Sequence, residues 1–174
     1  IESAGAPFAP ENWRPLNAEA VLKGRVRLDR AGKRLIAQVS LYDPVENSLI
    51  FRNEYESELT LLRSLAHRIS NDVYEALAGQ ESVFRTRIAY VVRDGGNKDI
   101  YIMDWDGARA RRMTRARTLT MVPRWSRSGR YLAYASLRRG RWGIYALDLS
   151  KAKERLLFGS RTLALPGAFA PDGR

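Results

Sequence analysis

His67 is the only histidine of this 174-residue chain, and the chain has no cysteine. A lone imidazole without thiolates cannot assemble a zinc cage, which needs four ligands of these types or carboxylates at fixed spacing. Nor does His67 have a recognisable partner for nucleophilic catalysis: no Gly-x-Ser-x-Gly elbow occurs anywhere. It falls between Arg63 and Asn71 at a spacing of four, on the polar line of a helical pattern, where a structural role is expected. Asp94-Gly95-Gly96-Asn97-Lys98-Asp99 is rich in oxygen ligands but lacks the alternating acidic spacing and distal glutamate of a calcium loop. Its residue types suit a hairpin turn. Gly95-Gly96 is followed by no Gly-Lys-Ser/Thr, so it is no phosphate loop. The residue types therefore predict neither a metal, a cofactor nor an enzyme activity.

Arginine is the remaining chemically active residue. The net charge is +11, with 45% hydrophobic and 28% charged residues, the mixture of a globular chain. The surplus is not spread evenly. Residues 1–86 hold 11 Lys/Arg against 12 Asp/Glu, whereas residues 87–174 hold 19 against 7. Such asymmetry points to an anionic partner or to an arginine-rich surface without one. Trp105, Trp125, Trp142, Tyr90, Tyr101, Tyr134 and Tyr145 interleave with these arginines. Exposed rings would serve nucleic-acid stacking. Most of them recur with a fixed period, however, which predicts packing between repeated units and no nucleic acid as partner. Trp105 and Trp142 have no aromatic counterpart in the other copy.

The elements that would position these residues fall into two parts. Residues 1–16 form an irregular lead with Trp13 as candidate anchor. Val26 and Leu28, a turn at Asp29–Gly32, and then Leu35, Ala37, Val39 and Leu41 at period two predict a β-hairpin over about 21–42 with one buried face. A second turn at Asp43–Asn47 leads to a third strand over about 48–55. Leu59, Leu62, Leu65, Ala66, Ile69, Val73 and Leu77 then recur at helical spacing, predicting a helix over about 59–78. Ser57 is its expected N-cap, Glu58 suits its positive first turn, and Gly79 is placed to end it. A three-stranded sheet with one helix is thin, so further elements upstream are expected.

Residues 88–174 repeat. Ala89-Tyr90 recurs as Ala133-Tyr134, and Ile100-Tyr101-Ile102-Met103-Asp104 as Ile144-Tyr145-Ala146-Leu147-Asp148. Arg117-Thr118-Leu119 recurs as Arg161-Thr162-Leu163, and Gly129-Arg130 as Gly173-Arg174, every pair 44 residues apart. That period suits a four-stranded propeller blade. Each copy offers short strands near 88–92, 100–104, 110–113 and 121–125, separated by turns at Asp94–Gly96, Asp106-Gly107 and Ser128-Gly129. Two copies cannot close a ring, so the fold class is an α+β lead domain followed by an incomplete all-β propeller.

Two stretches carry a resemblance. Ala66 to Gly79, continuing through Phe84-Arg85-Thr86-Arg87-Ile88-Ala89-Tyr90-Val91, resembles the helix-to-first-blade junction of the TolB family. Pro123-Arg124-Trp125-Ser126-Arg127-Ser128-Gly129-Arg130-Tyr131-Leu132-Ala133-Tyr134 is similar to that family's blade signature. It departs at Arg127 and Ser128, where Pro and Asp are usual, and Ala170-Pro171-Asp172-Gly173 restores them.

The resemblance implies an α/β domain over 1–83 and the first two blades of a six-bladed propeller over 84–174. It implies a periplasmic scaffold with its signal peptide outside this chain, and no membrane span. The implied partners are the peptidoglycan-associated lipoprotein Pal and, through a tail absent here, TolA. The implied role is in outer-membrane integrity and constriction at division, on surfaces that colicins exploit. Loops at equivalent places in successive blades gather on one face of the ring. Arg117, Thr118, Leu119 and Thr120, with Arg161, Thr162, Leu163 and Ala164, are therefore the expected partner-binding residues. Two alternatives stand beside this reading: the propeller of a prolyl-oligopeptidase-like peptidase, and a basic module for anionic polymers.

Overall fold

A computed structural model describes residues 7–172. The chain divides into two compact units between Arg85 and Thr86. Alternation and turn chemistry build the first of them. Strands β1 (Val21–Leu28), β2 (Arg34–Asp43) and β3 (Ser48–Glu58) form an antiparallel sheet in the order β1-β2-β3. The first turn closes as Asp29 Oδ1 accepts the Lys33 and Arg34 amides at 2.7 and 3.1 Å. Asp43 does the same at the second, accepting from Val45 and Glu46, while Asn47 takes a left-handed φ of 51°.

A short 3-10 turn (Leu59–Leu61) leads into helix α1 (Leu62–Ala78), which ends on Gly79 at φ 67° with its amide bonded to Glu75 O. The start differs from expectation. Ser57 is the penultimate residue of β3 and its hydroxyl donates to Glu58 O, so it caps nothing. The residue before the helix is Leu61, which gives no side-chain cap, and no acidic residue lies in the first turn. Strand β3 simply runs further than its apolar residues signal, carried by pairing with β2 up to Arg34↔Glu58.

Ala37, Val39, Tyr55 and Leu65 form the core of this unit, with Leu35, Phe51 and Ile69 packed on it. The apolar stripe is only half used. Leu62, Leu77, Val26 and Leu28 are exposed, because α1 rests chiefly on β3 and leaves the far end of β1 uncovered. In the lead Trp13 is half-buried, and the contacts that tie the segment to the sheet come from its neighbours: Phe8 stacks on Tyr42 at 4.1 Å, and Arg14 donates to Pro44 O and Val45 O.

The second unit consists of two meanders. Strands β4 (Arg87–Asp94), β5 (Asn97–Asp104) and β6 (Arg111–Arg112) form one sheet. Strands β7 (Thr120–Trp125), β8 (Tyr131–Arg138), β9 (Arg141–Asp148) and β10 (Lys153–Ser160) form the other, ordered β10-β9-β8-β7. The bounds of β4 and β5 shifted by the sequence period give those of β8 and β9. Tyr90 pairs with Tyr101 as Tyr134 pairs with Tyr145, at ring separations of 5.8 and 5.9 Å.

One strand departs from the expected grouping. Residues 121–125, read as the last strand of the first copy, pair with β8 and so open the second sheet. A repeat fixes the period of a fold but leaves its phase undetermined. Their ladder carries a bulge between Met121 and Arg124, where Val122 takes φ 55°. Past β10 the described residues contain no further strand, and Gly173-Arg174 lies outside them. Ile100 and Ile102 on β5 pack with Leu132, Tyr134 and Leu147 of the second sheet in one core, with Trp125 and Tyr145 against it. Tyr134, Tyr145 and Trp125 of the second sheet thus pack in or against this shared core, whereas Tyr90 and Tyr101 contact each other within the first sheet.

Candidate partner-binding surface

The segment expected to meet a partner first serves the fold. After β6 the chain crosses to the second sheet through residues 113–119. The Lys98 amide donates to Thr118 O at 3.0 Å, the Leu137 amide to Leu119 O at 2.9 Å, and the Thr118 hydroxyl to Leu137 O. Thr120 is fully buried, its hydroxyl 3.0 Å from that of Ser136. Leu119 is half-buried. Of the first set, only Arg117 is exposed, and it holds a left-handed φ of 49°.

The second set is freer. Arg161, Thr162 and Leu163 are exposed, with Leu163 at 56%, and Ala164 is half-buried. The Thr162 amide and hydroxyl meet Ser160 Oγ at 3.1 and 3.2 Å. Both sets follow the outer strand of their sheet, β6 or β10, and so occupy corresponding places along the chain.

Several arginines of the basic half are committed to internal partners. Arg130 reaches Asp148 at 2.8 Å and Arg112 reaches Asp99 at 2.5 Å. Arg109 reaches Asp104 at 2.7 Å, and Arg87 lies over the Trp125 ring at 5.2 Å. Arg138 holds both oxygens of Glu154 and stacks on Tyr145 at 3.9 Å. The Tyr134 hydroxyl also donates to Glu154. Burial first, then this carboxylate, pushes the Tyr134 phenol well above its ordinary range. Arg138 and Tyr134 hold Glu154 below the carboxylate range, against its own burial. Asp148 is held well below it, chiefly by Arg130 and then by Ser150.

The acidic turn read from the sequence is structural. Asp94 pairs with Asn97 across the β4–β5 turn, and buried Asp99 accepts from Arg112 and the Thr114 hydroxyl. His67 lies half-buried on α1, one turn from Asn71, whose amide is bonded to Ser82 and Glu75. Sequence reasoning missed a cleft beside the crossover, where Arg115, Arg117 and Arg139 gather. The available signal was Arg138-Arg139-Gly140-Arg141 standing where the first copy has Asp94-Gly95-Gly96-Asn97.

Residues 74–174 match the family model of the TolB beta propeller domain. The Tol-Pal system protein TolB of Polaromonas naphthalenivorans is 34% identical over 165 residues, covering 91% of this chain and 38% of the relative. Its namesake from Desulfosudis oleivorans is 31% identical over 141 residues, covering 81% and 32%. A crystal structure of TolB from Acinetobacter baumannii superposes with a TM-score of 0.89 at 24% identity, over 96% of this chain and 42% of that one, a likeness of fold. The chain spans 32–40% of the length of the curated relatives it matches.

Proposed function

The chain belongs to the TolB family, and from that premise we propose that it acts as a non-catalytic scaffold of a Tol-Pal-type complex in the periplasm. In this reading residues 84–174 are the first two blades of the propeller, and 1–83 belong to the lead domain. The propeller half binds a Pal-like lipoprotein, TolA engages a segment outside this chain, and the assembly supports outer-membrane integrity and constriction at division. The observation that carries the partner face is the exposure of Leu163 beside Arg161, at the place in its repeat that Arg117 and Leu119 hold in theirs. Exposed arginines would steer an acidic partner into encounter, and the leucine would provide apolar contact on docking. Among the described residues no helix is long and apolar enough to cross a membrane, and none of their His, Asp and Glu side chains cluster as a metal cage.

Calorimetric titration of the full-length protein with its Pal-like partner tests this. Leu163→Asp is expected to weaken binding by about tenfold or more, since it removes an apolar contact and introduces repulsion toward an acidic partner. Arg161→Gln should mainly slow association and flatten its salt dependence. Unchanged binding in Leu163→Asp removes this face as the site. Leu119→Asp is a weaker probe, because that residue is half-buried and its backbone joins the two sheets.

A further inference from the structure

Between the crossover and the β8–β9 turn lies a cleft of about 630 Å³, lined by Arg115, Arg117, Arg138 and Arg139. Glu154 is the one acidic residue among its lining, and it is already held by Arg138 and Tyr134. Three guanidinium groups therefore share one concavity without a counter-charge.

The fold does not require them there. The β8–β9 turn is a copy of the β4–β5 turn, which closes on Asp94-Gly95-Gly96-Asn97 without an arginine. Arg139 takes φ 51° and replaces Gly95, while Arg117 takes φ 49°. The left-handed region is unfavourable for a long side chain, and residues kept there against local preference concentrate at functional sites. Arg115 and Arg117 on the crossover and Arg139 on the turn are exposed like charges lining one cleft, and a bound anion would offset their mutual repulsion.

The walls narrow the choice of anion. Thr118 O, Leu119 O, the Leu137 amide and Leu137 O are all engaged in joining the two sheets. A peptide strand would find no free backbone edge along these residues. Recognition must come from the guanidinium forks, which match planar or tetrahedral oxyanions. We propose that this cleft is a binding site for a compact, multiply charged oxyanion of the phosphate type, held by Arg115, Arg117 and Arg139. It goes beyond the scaffold role and needs no protein partner.

Pyrophosphate and inorganic phosphate, titrated calorimetrically into the full-length protein at physiological ionic strength, provide the probe. One saturable site is expected. Arg139→Gly restores the residue of the first copy and relieves the backbone, and Arg117→Asn keeps a residue tolerant of that φ. Each should weaken pyrophosphate by about tenfold without lowering the melting temperature. Arg25→Gln, which removes one charge from the other unit, should change nothing. Co-sedimentation with phosphatidic-acid vesicles against phosphatidylcholine vesicles identifies the source. Capture by the former makes the anion a lipid headgroup, and pyrophosphate binding alone makes it soluble; either supports the site. Absence of saturable binding, or equal affinity in Arg139→Gly, overturns it. Binding of a polyglutamate peptide with neither phosphate probe would overturn it too, giving the cleft to a protein segment. Leu163→Asp leaves the cleft untouched, so failure here and failure of the partner face are separable.

Discussion

Asp148 ends β9 and gathers the following turn: its Oδ1 accepts the Ser150 amide at 2.9 Å and hydroxyl at 2.6 Å, and Oδ2 meets Arg130. These donors all favour the ionised carboxyl, which is why its pKa lies below the ordinary value. Its contribution to stability is therefore complete above the pKa of an unfolded aspartate, about 4, and is lost as pH falls through that value toward the depressed folded one. Asp148→Asn should lower the unfolding midpoint at pH 7, with a difference from wild type that shrinks below about pH 4. Urea unfolding at a series of pH values checks this. Tyr134 is buried while its hydroxyl reaches Glu154. Tyr134→Phe should cost about 1.5–3 kcal/mol in thermal unfolding, the loss of one hydrogen bond to a charged acceptor. Arg138 retains its own pair with Glu154 in that variant.

The strands show how tightly the repeats are fitted. Gly143 sits in β9 where Asp99 sits in β5, and a Cβ added there would lie 2.7 Å from Leu156 Cδ1 and 2.8 Å from Tyr145 Cε2. The leucine is exposed and can yield, but the tyrosine is engaged by both Tyr134 and Arg138. Gly143→Ala should cost roughly 1–2 kcal/mol, the usual price of mild overpacking, measurable by thermal unfolding. Period and turn chemistry made the three lead strands, the helix with its Gly79 end, and the first three strand positions of each copy legible beforehand; the fourth forms in the first copy only, and residues 165–169 of the second are not a strand. Ser57 was misleading because local capping preference lost to long-range pairing of β3 with β2. The ownership of β7 was illegible because pairing across the crossover leaves no trace in a periodic sequence. The arginine cleft was legible only as a substitution between copies, since 115–117 and 138–139 are brought together by the folding of one sheet against the next.

Across the whole chain, protection is unevenly distributed. Strand β8 has neighbours on both sides and contributes five fully or nearly fully buried residues in succession, Leu132 to Ser136. Strand β1 is paired on one side, and Leu22, Val26 and Leu28 face solvent. Native-state hydrogen exchange should find the slowest amides in β8 and β9, and fast ones at the Val26–Leu28 end of β1. Comparable rates in both would contradict this distribution of burial. The charge asymmetry also takes shape at this scale: Arg109, Arg112, Arg130 and Arg138 of residues 87–174 are paired with carboxylates, and Arg115, Arg117, Arg139 and Arg161 are among the exposed residues that carry the surplus.

The borrowed position of β7 bears on how such a chain can change its length. Because the strand that opens the second sheet lies 44 residues before the matching segment of the next copy, a duplication or excision of that length preserves strand order wherever its breakpoints fall. Joining residue 94 to residue 139, for instance, would connect β4 to β9 through the native turn. Breakpoints need not coincide with any sheet boundary. A gene built this way can gain or lose blades by unequal exchange at any point within the period and keep the order of its strands, whereas a duplication or excision that carries some strands of the period without the others would leave one sheet with a strand too many or too few.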